Sequence, residues 1–253
     1  MFALAVIPSI ILFVMVWKKD TVEKEPAGLL IKLFVFGALT IIPAVVLEIA
    51  GGQLLGWFVS DTASLEYIFL DNFIMVALVE EAGKYFVLKK VTWKHREFNY
   101  TFDAVVYAVV ASLGFATIEN ILYVVDDGIG LAVARALLSV PGHVIDAVFM
   151  GYYYGLARYA HGMGDTLKEK AHLRNALLVP VIMHGFYDFC LSSDRWFFYL
   201  AFVLYEIIIT INAISRLKKL SKNDTLIPGM EGTVQSDTVT GPAGKIDDWQ
   251  QRF

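Results

Sequence analysis

Residues 102–125 read FDAVVYAVVASLGFATIENILYVV, and this stretch decides the class of fold. A helix needs about 20 predominantly apolar residues to cross the hydrocarbon core of a bilayer. Only Asp103 and Glu119 carry charge within the stretch. The sequence therefore predicts that these residues cross a membrane as a helix.

Other apolar runs extend this prediction to a polytopic transmembrane helical bundle of about seven spans. In chain order the runs cover residues 2–17, 29–50, 67–88, 102–125, 131–159, 175–191 and 196–214. Of the 253 residues, 57% are hydrophobic and 18% are charged, whereas a soluble domain carries about 25% charged residues. This composition excludes a water-soluble globule, and the single cysteine, Cys190, excludes a disulfide scaffold.

Lysine and arginine are unevenly distributed among the predicted loops. They follow the first, third, fifth and seventh spans, while the opposite loops contain only Arg195. Because positively charged loops stay in the cytoplasm, we expect the N-terminus outside and the C-terminus in the cytoplasm. We expect residues 1–220 to form the membrane domain and the polar residues 221–253 to form a disordered cytoplasmic tail. The net charge of −4 provides no basic field for nucleic acid.

Ionisable residues inside the predicted spans are candidates for function, because a charge near the bilayer centre is costly. In the third span, Glu80 and Glu81 both lie one turn from Lys84. One ammonium cannot neutralise two carboxylates, so one glutamate is left to bind a ligand or to act as a general base for water. Interfacial positions are expected for five residues near span ends, namely Lys32, Glu48, Asp71, Asp103 and Arg135.

The fourth to sixth spans add further polar groups. His143 lies near the middle of the fifth span, after the pair Pro141-Gly142, which loosens the local helix. Asp146, one turn further on, either orients the imidazole ring of His143 or is an acid that only supports the site. His184 and Asp188 share one face of the sixth span. We expect a common zone in the membrane that opens outward and contains Glu80, Glu81, His143 and His184 near mid-depth, with Glu119 and Asp188 nearer the outer leaflet.

The chemistry available to this zone is limited by what the sequence lacks. It has no Gly-x-Ser-x-Gly motif, no His-Glu-x-x-His motif and no glycine-rich phosphate loop. What remains is a water molecule activated by glutamate and histidine, with or without a metal ion, because carboxylate and imidazole serve both mechanisms. Such a set can attack a carbonyl group and stabilise the oxyanion that forms.

Four linked motifs follow one another along the chain: Glu80-Glu81-x-x-Lys84, Phe115-x-x-x-Glu119-Asn120, Arg135 with His143 eight residues on, and His184-x-x-x-Asp188. As a set they resemble the PrsW family of intramembrane proteases, which are relatives of the CAAX prenyl endopeptidases. The resemblance runs from about residue 1 through the sixth span. It implies a bacterial cell-membrane endopeptidase that makes the site-1 cut in the extracytoplasmic part of a single-pass membrane anti-sigma factor, which leads to release of the sigma factor.

The resemblance also implies roles for individual residues. Glu80 would be the general base, with His143 sharing the activation of water, while His184 and Asp188 would polarise the scissile carbonyl and hold the oxyanion. Supporting roles would fall to Glu81, Lys84, Glu119, Asn120 and Arg135. Glu119 would either shape the site with Asn120 or take the place of a histidine of the prenyl endopeptidases. If Glu119 is a ligand, the set resembles a metal site, with zinc as the candidate ion and Glu80, Glu119, His143 and His184 as candidate ligands. A metal-free glutamate mechanism is the alternative.

Two rival functions use the same residues. A catalytically idle relative that binds a membrane partner, as an immunity protein does, predicts that alanine at Glu80 or His184 leaves function intact. An ion-coupled transporter predicts inverted repeats and broken helices in both halves of the chain. The sequence shows only the break at Pro141.

Overall fold

A computed structural model describes residues 2–233, and for residues 2–5, 124–129 and 131–132 it describes the helical backbone alone. Within this part of the chain no strand occurs. The helices are α1 (Phe2–Trp17), α2 (Ala27–Leu39), α3 (Ile41–Phe58), α4 (Leu65–Leu70), a π-helical segment (Asp71–Ala77), α5 (Leu78–Thr92), α6 (Asp103–Leu137), α7 (Ser139–Gly162), α8 (Thr166–Ser192), α9 (Trp196–Lys222) and a 3-10 turn (Glu231–Thr233).

The helical membrane class predicted from the sequence is confirmed. Five helical stretches are long and apolar enough to cross a membrane, and they cover Ala27–Phe58, Asp103–Tyr123, Val133–Gly162, Thr166–Ser192 and Trp196–Lys222. In α9 the large apolar side chains are mostly exposed, as is typical of a helix that faces lipid.

Two of the seven predicted spans are not among these five stretches. The first appears as a shorter apolar helix, Val6–Trp17. The third corresponds to α4, the π-helical segment and α5, which together carry the buried charges Glu80, Glu81 and Lys84. The count of seven spans and the orientation of the chain therefore stay predictions.

Helix α6 lies at the centre of the bundle, where α1, α2, α5 and α7 pack against it. Small residues allow the closest of these approaches. A Cβ atom on Gly114 would lie 2.1 Å from the carbonyl oxygen of Phe34, and one on Gly37 would lie 2.0 Å from the carbonyl oxygen of Ala111. Glycine at both positions thus lets the backbones of α2 and α6 touch.

The outer connection between the fourth and fifth predicted spans differs from the prediction. Residues 126–130 were expected to form a loop, but the backbone of α6 stays helical to Leu137. A straight helix would separate Glu119 from Arg135 by about 24 Å along its axis, yet a guanidinium nitrogen of Arg135 lies 2.6 Å from Glu119. Helix α6 must therefore bend back between these residues.

The start of α7 also differs from the prediction, with a consequence for His143. Helix α7 begins at Ser139, so Pro141 lies in its first turn, where the missing N–H of proline costs no helical hydrogen bond. His143 consequently lies near the beginning of α7, within the candidate span Val133–Gly162, and its expected depth in the membrane stays a prediction. The helical run is interrupted at Leu138, three residues before Pro141.

The π-helical segment precedes the two glutamates of α5 directly. A π-helical turn is wider than an α-helical turn and is frequent at functional sites. This one packs closely on α8, because a Cβ atom on Gly185 would lie 2.5 Å from the ring of Phe73. The contact brings His184 of α8 beside the first turn of α5.

The predicted tail does not begin at residue 221. Residues 221–233 are ordered against the start of α6: Thr101 N–H donates to the Thr225 carbonyl at 3.0 Å, and Ile227 N–H donates to the Asn99 carbonyl at 2.7 Å. Ile227 is fully buried, so this short segment contributes an apolar contact to the bundle although most of its residues are polar. The remaining residues, 234–253, lie outside the described part of the chain.

Candidate active site in the membrane bundle

Lys84 is the centre of a buried charge cluster. Its ammonium nitrogen lies 2.7 Å from Glu81 Oε1, 3.2 Å from Glu80 Oε2 and 3.0 Å from His143 Nδ1. The side chain is 1% exposed, and the ammonium also lies 4.3 Å from the ring centroid of Phe115. The three N–H bonds of the ammonium thus have three acceptors, and the aromatic face adds a cation–π contact.

The contact with Lys84 determines which nitrogen of His143 carries the proton. An ammonium has no lone pair, so Nδ1 of His143 must accept the hydrogen bond. The proton of the neutral ring is then on Nε2, which lies 2.9 Å from Glu119 Oε2. Helix α6 also holds the histidine backbone, because Ser112 Oγ donates to the His143 carbonyl at 3.0 Å. Asp146 is therefore not the group that orients this ring.

His184 lies between two carboxylates. Its Nδ1 is 3.0 Å from Glu81 Oε1 and 4.0 Å from Glu80 Oε2, and its Nε2 is 3.1 Å from Asp188 Oδ2. The pair with Asp188 follows from the i,i+4 spacing in α8, whereas the contact with Glu81 joins α8 to α5. An imidazolium at this position can donate a hydrogen bond on both sides.

The structure brings together the residues that the sequence placed at mid-depth. Ligand atoms of Glu80, Glu81, His143 and His184 all lie within 4.8 Å of one another. The two histidine rings meet edge to face, with their centroids 5.3 Å apart. Three helices that are distant in sequence, α5, α7 and α8, therefore meet at one buried point.

Of the predicted supporting residues, Arg135 lines the cavity beside the cluster and Asn120 does not. Arg135 approaches Glu119 to 2.6 Å and lies 3.8 Å from the ring centroid of Tyr123. Asn120 is fully buried but does not line the cavity beside the cluster.

A cavity of about 690 Å³ opens beside the cluster. Of the candidate residues, those on its wall are Glu80, Glu119, Arg135, His143, His184 and Asp188. Glu81 and Lys84 lie behind this wall and contact it through Glu80 and the histidines. The volume is in the range of ligand-binding cavities in proteins, so these carboxylates and imidazoles face a space large enough for a ligand.

Glu48 also lies on this wall, which sequence analysis missed. It was expected at the membrane interface because it lies near the end of its predicted span. No local spacing connects α3 with the other polar helices, so the position of Glu48 depends on how α3 packs in the bundle.

The donor set is compatible with a metal ion. Carboxylates and imidazoles are common ligands of zinc. Four carboxylates (Glu80, Glu81, Glu119 and Asp188) stand beside two fixed cations (Lys84 and Arg135), so two formal negative charges remain when both histidines are neutral. A divalent cation would offset this charge, and protonation of a histidine would offset part of it. Lys84 already contacts three of the four converging residues, so the side of the cluster that faces the cavity is the one with room for an ion.

A buried glutamate and histidine centre beside a cavity in a polytopic helical bundle is compatible with a membrane-embedded peptide hydrolase. The sequence profile of the family described as "PrsW family intramembrane metalloprotease" matches residues 25–212. The chain belongs to this family, and it is a multi-pass protein of the bacterial cell membrane. The resemblance stated from the four motifs is thus confirmed.

Several relatives described as "Protease PrsW" cover most of the chain. The protein from Oceanobacillus iheyensis is 35% identical over 216 residues, which are 85% of this chain and 94% of the relative. The protein from Clostridioides difficile is 35% identical over 227 residues, 88% of this chain and 90% of the relative. The protein from Bacillus subtilis is 33% identical over 201 residues, 76% of this chain and 84% of the relative.

No solved structure matches the chain. The comparisons identify a protease family and do not favour the binding protein or the transporter as an alternative.

Proposed function

We propose that this protease makes the site-1 cut in the extracytoplasmic part of a single-pass membrane anti-sigma factor, which leads to release of the sigma factor. One observation carries the proposal of a cut at this site: Glu80, His143, His184 and Asp188 lie on the wall of one cavity. Membership of the family supports the peptide substrate. The predicted topology supports an extracytoplasmic cut, because the loops near this end of the bundle are those predicted to lie outside.

In the proposed reaction, Glu80 takes a proton from a water molecule in the cavity. The water oxygen forms a bond to the scissile carbonyl carbon, and the Nε2–H of His184, which it shares with Asp188, donates a hydrogen bond to the oxyanion that develops. Asp188 holds the ring of His184 in this orientation. Glu80 then transfers the proton to the leaving amine nitrogen as the C–N bond breaks. The products are a carboxylic acid and an amine, which then exchange a proton to give a carboxylate and an ammonium, and no other reactant is needed.

The remaining groups position these two residues. Lys84 holds Glu80 and Glu81, and Glu81 fixes the inner nitrogen of His184. Both ring nitrogens of His143 are engaged, by Lys84 and by Glu119. We therefore assign His143 to positioning, instead of the shared removal of the proton that the family resemblance implied.

A metal ion would be held by groups that face the cavity, namely Glu80, Glu119 and His184, and His143 would join them only by giving up its hydrogen bond to Glu119. When bound, it would supply Lewis-acid polarisation of the scissile carbonyl. The family description supports this assignment, and zinc is the ion that these donor types favour.

Cleavage in liposomes tests the proposal. The purified protein is reconstituted with candidate single-pass anti-sigma factors, and the products are identified by gel and mass spectrometry. We expect Glu80→Gln and His184→Gln each to slow cleavage by a factor of about 10² to 10⁴, the usual contribution of a general acid or base. Glu66→Gln, which changes an exposed carboxylate in α4, is the matched control and should cut at the wild-type rate.

Two results would contradict the proposal. Cleavage that survives both substitutions would exclude the proposed site, and a wild-type protein that cuts none of the candidates would exclude the proposed substrate. A zinc chelator distinguishes the two mechanisms, since inhibition that added zinc reverses indicates a metalloprotease. Full activity in the chelator indicates the metal-free glutamate mechanism.

A further inference from the structure

One face of α3 forms a wall of the active-site cavity. Ile41, Val45 and Glu48 all line it, and their i, i+4 and i+7 spacing places them on the same side of the helix. The face therefore presents two aliphatic side chains followed by a carboxylate. This order is complementary to a lysine or arginine side chain, which has an aliphatic stem and a cationic head group.

The carboxylate of Glu48 lacks a donor on one oxygen. Its Oε1 atom is buried and accepts no hydrogen bond from the described residues. Because no protein donor in the described part of the chain occupies this oxygen, it is available to a cationic group that enters the cavity. The orphan oxygen thus distinguishes Glu48 from the carboxylates already paired in the catalytic cluster.

The charge of the whole cavity favours a cation. Its wall carries five carboxylates, those of Glu48, Glu80, Glu119, Asp146 and Asp188. Among the described residues that line the cavity, Arg135 is the only lysine or arginine, and it is already paired with Glu119. A cavity lined mainly by one sign of charge concentrates ligands of the opposite sign.

The same sign of charge continues toward the end of the bundle. A smaller cavity of about 270 Å³ shares Asn72 and Ser192 with the first, and Ser192 Oγ donates to Asn72 Oδ1 at 3.3 Å where the two meet. Asp71 and Asp194 line this second cavity, and no lysine or arginine does so among the described residues. The two adjoining cavities therefore both present carboxylates.

We propose that the cavity selects substrates with a lysine or arginine next to the scissile bond, and that Glu48 is the residue that binds the cationic head group. The aliphatic stem of that residue packs on Ile41 and Val45. This inference rests on the proposed function, because it assigns a substrate class to the same site. It makes Glu48 a specificity-determining residue for the peptide cut.

Binding to a cleavage-deficient protein tests the inference without requiring catalysis. Glu80→Gln protein in nanodiscs is titrated with two alanine-rich decapeptides that differ only at a central residue, lysine in one and its uncharged isostere norleucine in the other. We expect the lysine peptide to bind at least about tenfold more tightly, as a charge-assisted hydrogen bond provides. Adding Glu48→Gln should reduce the ratio of the two affinities to about one, and adding Glu66→Gln should leave it unchanged.

Charge reversal provides a second readout in case Glu48→Gln perturbs the fold. Glu48→Lys should bind a glutamate peptide more tightly than the lysine peptide. Equal affinities in the Glu80→Gln protein, or a lysine preference that persists in Glu48→Gln, would overturn the inference. Failure of cleavage with an intact, Glu48-dependent lysine preference would refute the proposed function instead, and cleavage without any lysine preference would refute only the inference.

Discussion

Lys84 illustrates at the scale of one residue how this protein maintains charges inside a membrane bundle. Its three hydrogen-bond donors are matched by two carboxylates and one imidazole, and the side chain is 1% exposed. Lys84 fixes the position of each of these three partners. Glu80 faces the cavity, Glu81 contacts His184, and the neutral ring of His143 carries its proton on Nε2. The residue is therefore structural and electrostatic at once.

Replacing Lys84 with methionine tests this reading. Methionine keeps the length of the side chain but leaves Glu80 and Glu81 without their cation, and removing one partner of a buried ion pair typically costs about 3–5 kcal/mol. We expect a loss of this size in the free energy of unfolding, measured by denaturant titration of the protein in detergent micelles. Lys90→Met, on an exposed position of the same helix, is the control and should change stability little. Equal stability of the two variants would show that Lys84 does not hold the cluster together.

At the scale of elements, the site depends on how closely α6 approaches its neighbours. Where α2 contacts α6, the backbones are so close that neither position 37 nor position 114 has room for a side chain. Because α6 carries Glu119 and α2 leads directly into α3 with Glu48, this crossing determines the distance between two walls of the cavity. The bend in α6 then returns Arg135 to Glu119 and closes the third side.

Gly114→Ala should separate these helices. The added Cβ atom would lie 2.1 Å from the Phe34 carbonyl oxygen, so the backbones must move apart. Overpacking of this kind usually costs about 1–3 kcal/mol, and we expect both lower thermal stability and slower cleavage. Gly56→Ala is the matched control, because its Cβ atom would meet nothing within 4 Å and alanine favours a helix. A Gly114→Ala protein that is as stable and active as the control would contradict this account of the crossing.

At the scale of the whole molecule, distant parts of the chain meet at the end of the bundle opposite the cavity. The connection between α1 and α2, the turn before α6 and the segment after α9 bring several carboxylates together, with Lys24 as the nearby cation: Asp20, Glu23, Glu25, Asp103 and Asp224. Tyr107 donates a hydrogen bond to Glu25, and Asp224 Oδ1 accepts one from the Phe102 N–H at 2.8 Å. This assembly fastens residues 221–230 to the bundle.

The assembly should loosen as the pH rises. Burial raises the pKa of Glu25 from its ordinary value of 4.5 to about 8, and that of Asp224 from 3.8 to about 7. The folded state therefore binds more protons than the unfolded state between these values, so the stabilisation is complete below about pH 4 and is lost progressively as the pH rises toward 8. Hydrogen exchange of residues 221–230, corrected for intrinsic rates, should show stronger protection at pH 5 than at pH 8.

Glu25→Gln supplies the control for this pH dependence. Glutamine is neutral at every pH, so the difference in protection between pH 5 and pH 8 should shrink in this variant. Glu66→Gln, at an exposed position in α4, should behave like the wild type. Two results would show that these carboxylates are ionised in the folded protein: protection that increases with pH, or a difference in protection between pH 5 and pH 8 that is unchanged in Glu25→Gln.

The sequence by itself determined the features that depend on short-range spacing. Apolar runs are long enough to require helices in a bilayer, so the helical membrane class followed from composition alone. The pairs Glu80–Lys84, Glu81–Lys84 and His184–Asp188 followed from the helical repeat, because residues three or four apart share one face.

Only the tertiary structure decided which of these faces meet. The contacts of Glu119 with His143 and of Glu81 with His184 join separate helices, and nothing in either helix encodes the partner. The bend in α6 and the place of Glu48 on the cavity wall likewise depend on packing. The physical reason is the sequence distance over which each interaction acts. Helical periodicity depends on hydrogen bonds between residues four apart, whereas the site depends on close contacts between backbones that are remote in sequence.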